Sequence, residues 1–380
     1  MNELRELIFS QSSNLDEYIS FSNADGKKWI MPLRNIEVHL CIYQPSSFKG
    51  KLVKRMLPYV KENSFVLSKI HATKEKFSLS KALKCEIEKA FESENLSYGF
   101  FLGTPGVHQK VVIQVSKNDE ILGYCKVTDS QAVYNNFVAE DKVLSELCNR
   151  KIERVPQSLC VKHIMNDSIG IFIQTTTKTL KSKVVHELDD RHVSFIMGMC
   201  KKTSHTILYD DTAIARDLSY LKDHAGLVVD LLPEVLEIEE QLRSGVQKAC
   251  FYHGDFTPWN TYTEKNELCV FDWEYAETDY LPMLDIFHFF NQTCYFEHHM
   301  MPEDIVRTYV DLKKRGLEDW VNWTGYDADT LYIAYLLSMI SRTLQREEIL
   351  TDTSKASINL WYSTIKKLKS DVVKKSQKRI

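Results

Sequence analysis

The chain has 380 residues, of which 44% are apolar and 26% charged, with a formal net charge of −4. That length exceeds one average domain and predicts two lobes, while the slightly acidic balance gives no support to a nucleic-acid binder, which usually shows a basic face. Nine cysteines, an odd number with no CxxC pair, sit mostly in apolar runs, as at Cys41, Cys125, Cys200 and Cys269, which predicts reduced, buried thiols. The opening Met1-Asn-Glu-Leu-Arg-Glu lacks the layout of a signal peptide. The longest apolar run, Leu331 to Ile340, is about half of the roughly 18 residues that a membrane span needs. A cytoplasmic protein without a membrane span is expected.

Residues 1–95 read as an accessory α/β region. Trp29-Ile-Met-Pro-Leu and Val38 to Tyr43 suit short strands, the first preceded by an Asp25-Gly26 turn. Leu52, Val53, Met56, Leu57 and Val60 suit a helix, as do Leu83, Ile87, Ala90 and Phe91. The lysine-rich run Lys49 to Arg55 reads as a solvated helix face rather than an anion site.

From residue 96 to 177 the pattern is β. Strands are expected at Tyr98–Leu102, Val111–Ser116, Ile121–Val127, Ser158–Lys162 and Gly170–Thr175. A helix striped by Phe137, Glu140, Val143, Leu144 and Leu147 follows the third. Residues 178–380 read as mainly helical, with the clearest helix at Asp327 to Leu344 and a frayed, lysine-rich end from Lys366 to Arg379.

The chemistry concentrates in Phe251-Tyr-His-Gly-Asp-Phe-Thr-Pro-Trp-Asn260, followed by the apolar run Leu268 to Phe271 that delivers Asp272. Phosphoryl transfer needs positioning and charge neutralisation more than covalent chemistry. Mg²⁺ takes hard oxygen ligands, so an Asn and an Asp at the ends of short strands are suitable donors. Asp255 can orient a hydroxyl, Asn260 and Asp272 can hold the metal, and buried His253 suits a scaffold. Upstream, Lys126 lies inside an apolar strand, where an unpaired ammonium is costly to bury. Glu140, 14 positions later on the helix stripe, is its natural partner, with Asp141 as a rival.

These segments resemble the aminoglycoside phosphotransferase and choline kinase family, which shares the protein-kinase fold. His253 to Asn260 is similar to its catalytic loop and Phe271-Asp272-Trp-Glu-Tyr-Ala276 to its metal-binding segment. Asp285 corresponds to a later Asp that braces the catalytic loop. The resemblance implies an α+β, bilobal, protein-kinase-like fold: a five-stranded antiparallel N-lobe sheet (96–177) and a mainly helical C-lobe (178–380), with 1–95 as an extension. It implies ATP and Mg²⁺ as cofactors and a small-molecule hydroxyl as acceptor: a sugar, a glycan precursor, an amino alcohol such as choline, or an aminoglycoside. Gly103 and Gly106 fall where a phosphate-covering loop belongs, and Gln174, Thr175 and Thr177 where the hinge meets the base. Trp259, Trp273, Glu274 and Tyr275 are candidate walls of the acceptor pocket. Phe287, Phe289 and Phe290 read as core. Glu297-His-His299 reads as a surface or pocket element rather than a Zn²⁺ cluster. A nucleotide-binding scaffold whose working part is 1–95 is the rival reading. A protein kinase lacks support because no Ala-Pro-Glu follows Asp272.

Overall fold

The computed structural model describes residues 2–10, 15–45, 47–103, 109–224, 226, 229–243, 247–347 and 349–377. The chain divides into two compact units. One comprises Met1–Lys183 with Glu264–Glu274, and the other Val184–Thr263 with Tyr275–Ile380.

The first unit is built on a nine-stranded sheet. Its strands are β1 (Phe9–Ser10), β2 (Asp16–Ser22), β3 (Lys28–Pro32), β4 (Thr73–Leu79), β5 (Ser97–Leu102), β6 (Val111–Lys117), β7 (Glu120–Thr128), β8 (Ser158–Ile164) and β9 (Ile169–Thr175). The spatial order is β1-β4-β2-β3-β5-β6-β7-β9-β8. The five strands expected between 96 and 177 are therefore present, but their sheet does not stop at β5. β3 pairs antiparallel with it, with Trp29 opposite Phe101 and Ile30 opposite Phe100, and this carries the first 95 residues into the same sheet.

Alternation along the strands serves both faces. Tyr18, Ile30, Phe100, Ile113 and Cys125 join one buried cluster. Ile19, Phe21, Trp29 and Met31 join another on the opposite side, together with Ile36, Leu40 and Leu57. That second cluster overturns the expected strand at Val38–Tyr43, which is instead a helix, Ile36–His39, continued by a 3₁₀ turn, Leu40–Ile42. An exposed face of β3 needs a cover, and a helical turn brings Ile36 and Leu40 to one side at i, i+4. Gln114 Nε2 then donates to the Val38 carbonyl at 2.9 Å, and His39 packs so closely that a Cβ on Gly99 would lie 2.5 Å from its Nδ1.

Helix Gln131–Asn149 follows β7 and buries Phe137, Glu140, Leu144 and Leu147. The segment Glu264–Glu274 is tied to this unit by Val270 N donating to the Arg154 carbonyl at 3.0 Å. Glu264 also accepts from Thr179 and Ser182, each at 2.7 Å.

The second unit is mainly helical. Its small sheet is formed by strands His205–Ile207, Gln247–Tyr252 and Glu277–Tyr280. Helix Leu284–Gln292 buries Phe287, Phe289 and Phe290. Helix Ala328–Arg346 starts on Asp327, whose carboxylate accepts from Thr330 N at 3.0 Å. The expected frayed end is a correction as well. Helix Asp352–Gln377 carries Lys366 to Glu234 and Lys369 to Glu237, each at 2.5 Å, so lysines that read as a solvated tail are anchored by carboxylates of helix Leu232–Arg243. No helix among the described residues is long and apolar enough to cross a membrane.

Candidate active site

In the first unit, β7 is an interior strand that places Lys126 opposite Val112 on one side and Phe172 on the other. Its Nζ lies 3.0 and 2.7 Å from the Glu140 carboxylate oxygens and 2.8 Å from Asp272 Oδ1. Lys126 and Glu140 are buried, whereas the Asp272 side chain is 30% exposed. Burial alone would discharge the ammonium, but the facing Asp272 and Glu140 carboxylates outweigh it and hold Lys126 well above the usual lysine range. The rival Asp141 is occupied elsewhere, accepting from the Ser158 hydroxyl.

Asp272 follows strand Glu267–Val270 and has φ +66°, in the left-handed region. Asp tolerates this better than most residues, yet such backbone costs on the order of 1–3 kcal/mol and persists only where its surroundings impose it. Glu274 is paired with Lys110. Trp273 is a correction to the expected pocket wall: it is 1% exposed, its Nε1 donates to the Val270 carbonyl at 3.4 Å, and it has no face for a substrate.

At the end of β9 the Thr175 amide donates to the Gln157 carbonyl at 2.9 Å, and the Thr176 amide to Leu122 at 3.3 Å. Thr177 accompanies Cys269 through a side-chain hydrogen bond. Gln174 stands two residues beyond Phe172, on the sheet face shared with Lys126. Its buried Oε1 lacks a hydrogen-bond partner among the described residues, as a site built to receive a donor would leave it. Among the described residues, a Cβ on Gly103 would meet only the Lys110 carbonyl, at 3.7 Å, so none of them demands glycine there. Gly106 and His108 lie outside the described residues.

In the second unit, strand Gln247–Tyr252 leads into the loop that carries His253, Asp255 and Asn260. Asp285, on helix Leu284–Gln292, accepts from His253 N at 2.8 Å and from Gly254 N at 3.2 Å. Its carboxylate therefore braces the loop through two backbone amides. His253 is fully buried, and its Nδ1 accepts from Asp255 N at 3.2 Å. Gly254 has φ +81°, and a Cβ there would lie 2.2 Å from the Tyr275 carbonyl oxygen. Gly254→Ala is expected to cost at least about 2 kcal/mol in denaturant unfolding. Wild-type stability would show that the Tyr275 segment yields instead.

Burial raises the Asp285 carboxyl from 3.8 to about 7, against the pull of the two amides. Between those values the folded chain holds a proton that the unfolded chain releases, so this contribution is fully present at low pH and declines as pH rises. Asp285→Asn has no such proton to lose. It is expected to flatten the fall in thermal stability between about pH 4 and pH 7; an unchanged slope would place the titration elsewhere.

Both Asp255 oxygens are oriented. Asn260 Nδ2 donates to Oδ2 at 2.7 Å and to the Asp255 backbone carbonyl at 3.0 Å. His288 Nε2 lies 3.3 Å from Oδ1, and the Tyr335 hydroxyl 3.2 Å from His288 Nδ1. The buried Tyr335 phenol is held well above its usual range and remains a donor. Its hydroxyl can donate to Nδ1, which leaves the ring proton on Nε2 to face Asp255. Neither His288 nor Tyr335 was among the residues expected at the site. The available signal was spacing: His288 is three positions after Asp285 and so shares its helix face.

Two neighbours of Asn260 Nδ2 are acceptors, so only the amide nitrogen fits there, and the side-chain oxygen is directed away from both. A side-chain amide oxygen is a hard donor of the kind that Mg²⁺ takes. Among the described residues no cluster of three or more His, Cys, Asp or Glu side chains could hold a metal by itself. Glu297 accompanies His186 at 2.7 Å and His298 accompanies Glu187 at 3.2 Å, which gives Glu297 and His298 pairing roles. Trp259 and Tyr275 are 40% and 39% exposed. Trp259 meets Phe296 edge-on at 6.3 Å, and Tyr275 carries the Arg346 guanidinium 4.5 Å above its ring.

No family model and no curated protein matches this chain. Solved structures do. It is similar to the amicoumacin kinase hAmiN in complex with AMP-PNP, Ca²⁺ and Ami, at 11% identity over 67% of this chain and 85% of that one, with a TM-score of 0.44. It is also similar to the GDP complex of aminoglycoside 2'-phosphotransferase-IIIa (12% identity, 76% and 99%, TM-score 0.45). A third likeness is to Plasmodium vivax ethanolamine kinase (13%, 71% and 81%, TM-score 0.40). At such identities the likeness assigns no residue a role.

Proposed function

We propose that this chain is an ATP- and Mg²⁺-dependent phosphotransferase that moves the γ-phosphoryl group to a hydroxyl of a small molecule. The observation that carries the reading is the buried Lys126 ammonium, held between Glu140 and the left-handed Asp272. A purely structural lysine needs one carboxylate partner. Here a second, part-exposed carboxylate is presented to it from a strained backbone position, and strain of this kind clusters at functional sites. Lys126 is assigned to the α/β phosphates, with Glu140 holding it in place. Asn260 and Asp272 are assigned to Mg²⁺, which when bound would neutralise charge on the phosphate oxygens. Asp255 orients the acceptor hydroxyl, and His253 and Asp285 support the loop. Gln174, Thr175 and Thr177 are assigned to the base, with the orphaned Gln174 oxygen as the acceptor group. Gly103 belongs to the loop over the phosphates.

A cavity of about 400 Å³ in the second unit supports an acceptor that carries an amino group, either an aminated sugar or an amino alcohol. Its lining includes Glu187, Asp189, Asp190 and Asp311 beside Leu188 and Phe290. Phe296, which meets Trp259 of the Asp255 loop, belongs to the π-helical turn Thr293–Glu297, whose first two residues line the cavity. Turns of this kind are frequent at functional sites.

The test is nucleotide consumption with Mg²⁺ across a panel of hydroxyl metabolites that pairs amino sugars and amino alcohols with their neutral counterparts. Turnover confined to the neutral members would remove the amino-group preference. Nucleotide-induced thermal stabilisation without any turnover would replace the enzyme with a nucleotide-binding scaffold.

A further inference from the structure

We propose that helix Phe48–Val60 docks this protein on an anionic lipid surface. The helix begins at Ser47, whose side chain accepts from Gly50 N at 3.1 Å. It has two apolar sides. One buries Gly50 and Leu57, with Leu57 inside the core cluster that also holds Trp29 and Met31. The other carries Phe48, Leu52, Met56 and Tyr59, all exposed, with Phe48 and Tyr59 each at 85%. At about 100° per residue these four fall within an arc of roughly 80°. They form one continuous stripe rather than scattered surface residues.

Charge identifies the occupant. Lys49 lies on one flank of the stripe, and Lys51 and Arg55 on the other, all three exposed. No acidic residue occurs between Phe48 and Val60, although the whole chain carries −4. Lys54 is excluded from the count because its Nζ turns inward to the Tyr43 carbonyl at 2.6 Å. The following helix, Ser64–Lys69, adds exposed Phe65 with Lys69 Nζ 4.5 Å above its ring. Large apolar side chains between cations match the boundary of an anionic bilayer, where the rings enter the acyl layer and the lysines reach the headgroups. A protein partner of standard size would bury ~1,200–2,000 Å² in total. One convex helical stripe is narrow for that, whereas it suffices for shallow insertion. Nothing in this inference depends on the catalytic reading.

The test uses the full chain in co-sedimentation with phosphatidylcholine vesicles, with and without phosphatidylglycerol, at low and high salt. Binding is expected only with phosphatidylglycerol and is expected to weaken with salt. The combined change Phe48→Ser, Leu52→Ser, Tyr59→Ser should lower it at least about tenfold, as should Lys49→Glu, Lys51→Glu, Arg55→Glu. All six side chains are exposed, so the melting temperature should stay at the wild-type value in both variants. Failure of the wild type to bind anionic vesicles would overturn the proposal, as would wild-type binding by both variants. Self-association that the serine variant abolishes, without vesicle binding, would assign the stripe to a second copy of the chain instead.

Discussion

Replacing Asp255 by alanine is expected to lower turnover by about 10²–10⁴-fold while nucleotide binding is retained. The carboxylate is held from both sides, by the Asn260 amide on Oδ2 and by His288 on Oδ1. It cannot rotate freely, and its free lone pairs keep one direction. Positioning of that kind is what a residue orienting an acceptor hydroxyl requires. The loss should appear in kcat, with the acceptor KM little changed, because the contact matters most as the hydroxyl attacks. Asp255 is not among the groups assigned to the nucleotide, so nucleotide-induced thermal stabilisation should persist. A variant with wild-type turnover would remove Asp255 from the proposed role. A variant that loses nucleotide binding as well would make it a structural residue of the loop.

The Lys126→Met change should act on folding and on turnover together. It removes the cation from a buried site and leaves Glu140 facing Asp272 with no compensating charge. Breaking a buried ion pair from one side costs about 3–5 kcal/mol. Burial already pushes the Glu140 carboxyl up against the pull of Lys126, so without that pull it should take up a proton. Adding Glu140→Gln should therefore recover much of the stability, because no buried charge remains on the helix side. It should recover none of the turnover, because the ammonium proposed to hold the phosphates is still missing. Denaturant unfolding reads the first quantity and nucleotide consumption the second. Recovery of both by the double change would show that the pair serves the fold alone.

Local pattern carried much of this protein. The aromatic and β-branched runs at Tyr98–Leu102, Val111–Ser116 and Ile121–Val127 are sufficient for β5, β6 and β7, because short connections favour antiparallel neighbours. The inward stripe of helix Gln131–Asn149 likewise brings Glu140 to the buried side, and a lysine amid apolar strand residues needs such a partner. Val38–Tyr43 was illegible for the opposite reason. Its β-branched residues suit a strand, but the open face of β3 required a helical cover, and tertiary packing overrode propensity. Lys366 and Lys369 looked like a solvated end because their partners, Glu234 and Glu237, lie about 130 positions earlier.

What the sequence by itself determined is which polar residues sit on which elements: Lys126 on a strand, Glu140 on a helix, and Asp255, Asn260 and Asp272 after short strands. These follow from side-chain chemistry and from periodicity within a few residues. Only the tertiary structure decided how those groups are held. It placed Asp285 under the His253 and Gly254 amides, His288 and Tyr335 behind Asp255, and Asp272 in the left-handed region beside Lys126. It also turned Phe48, Leu52, Met56 and Tyr59 outward while Leu57, on the same helix, entered the core. The physical reason is common to all of these. Hydrogen bonds and burial between residues distant in the chain depend on how sheet and helices pack, and no local spacing encodes that packing.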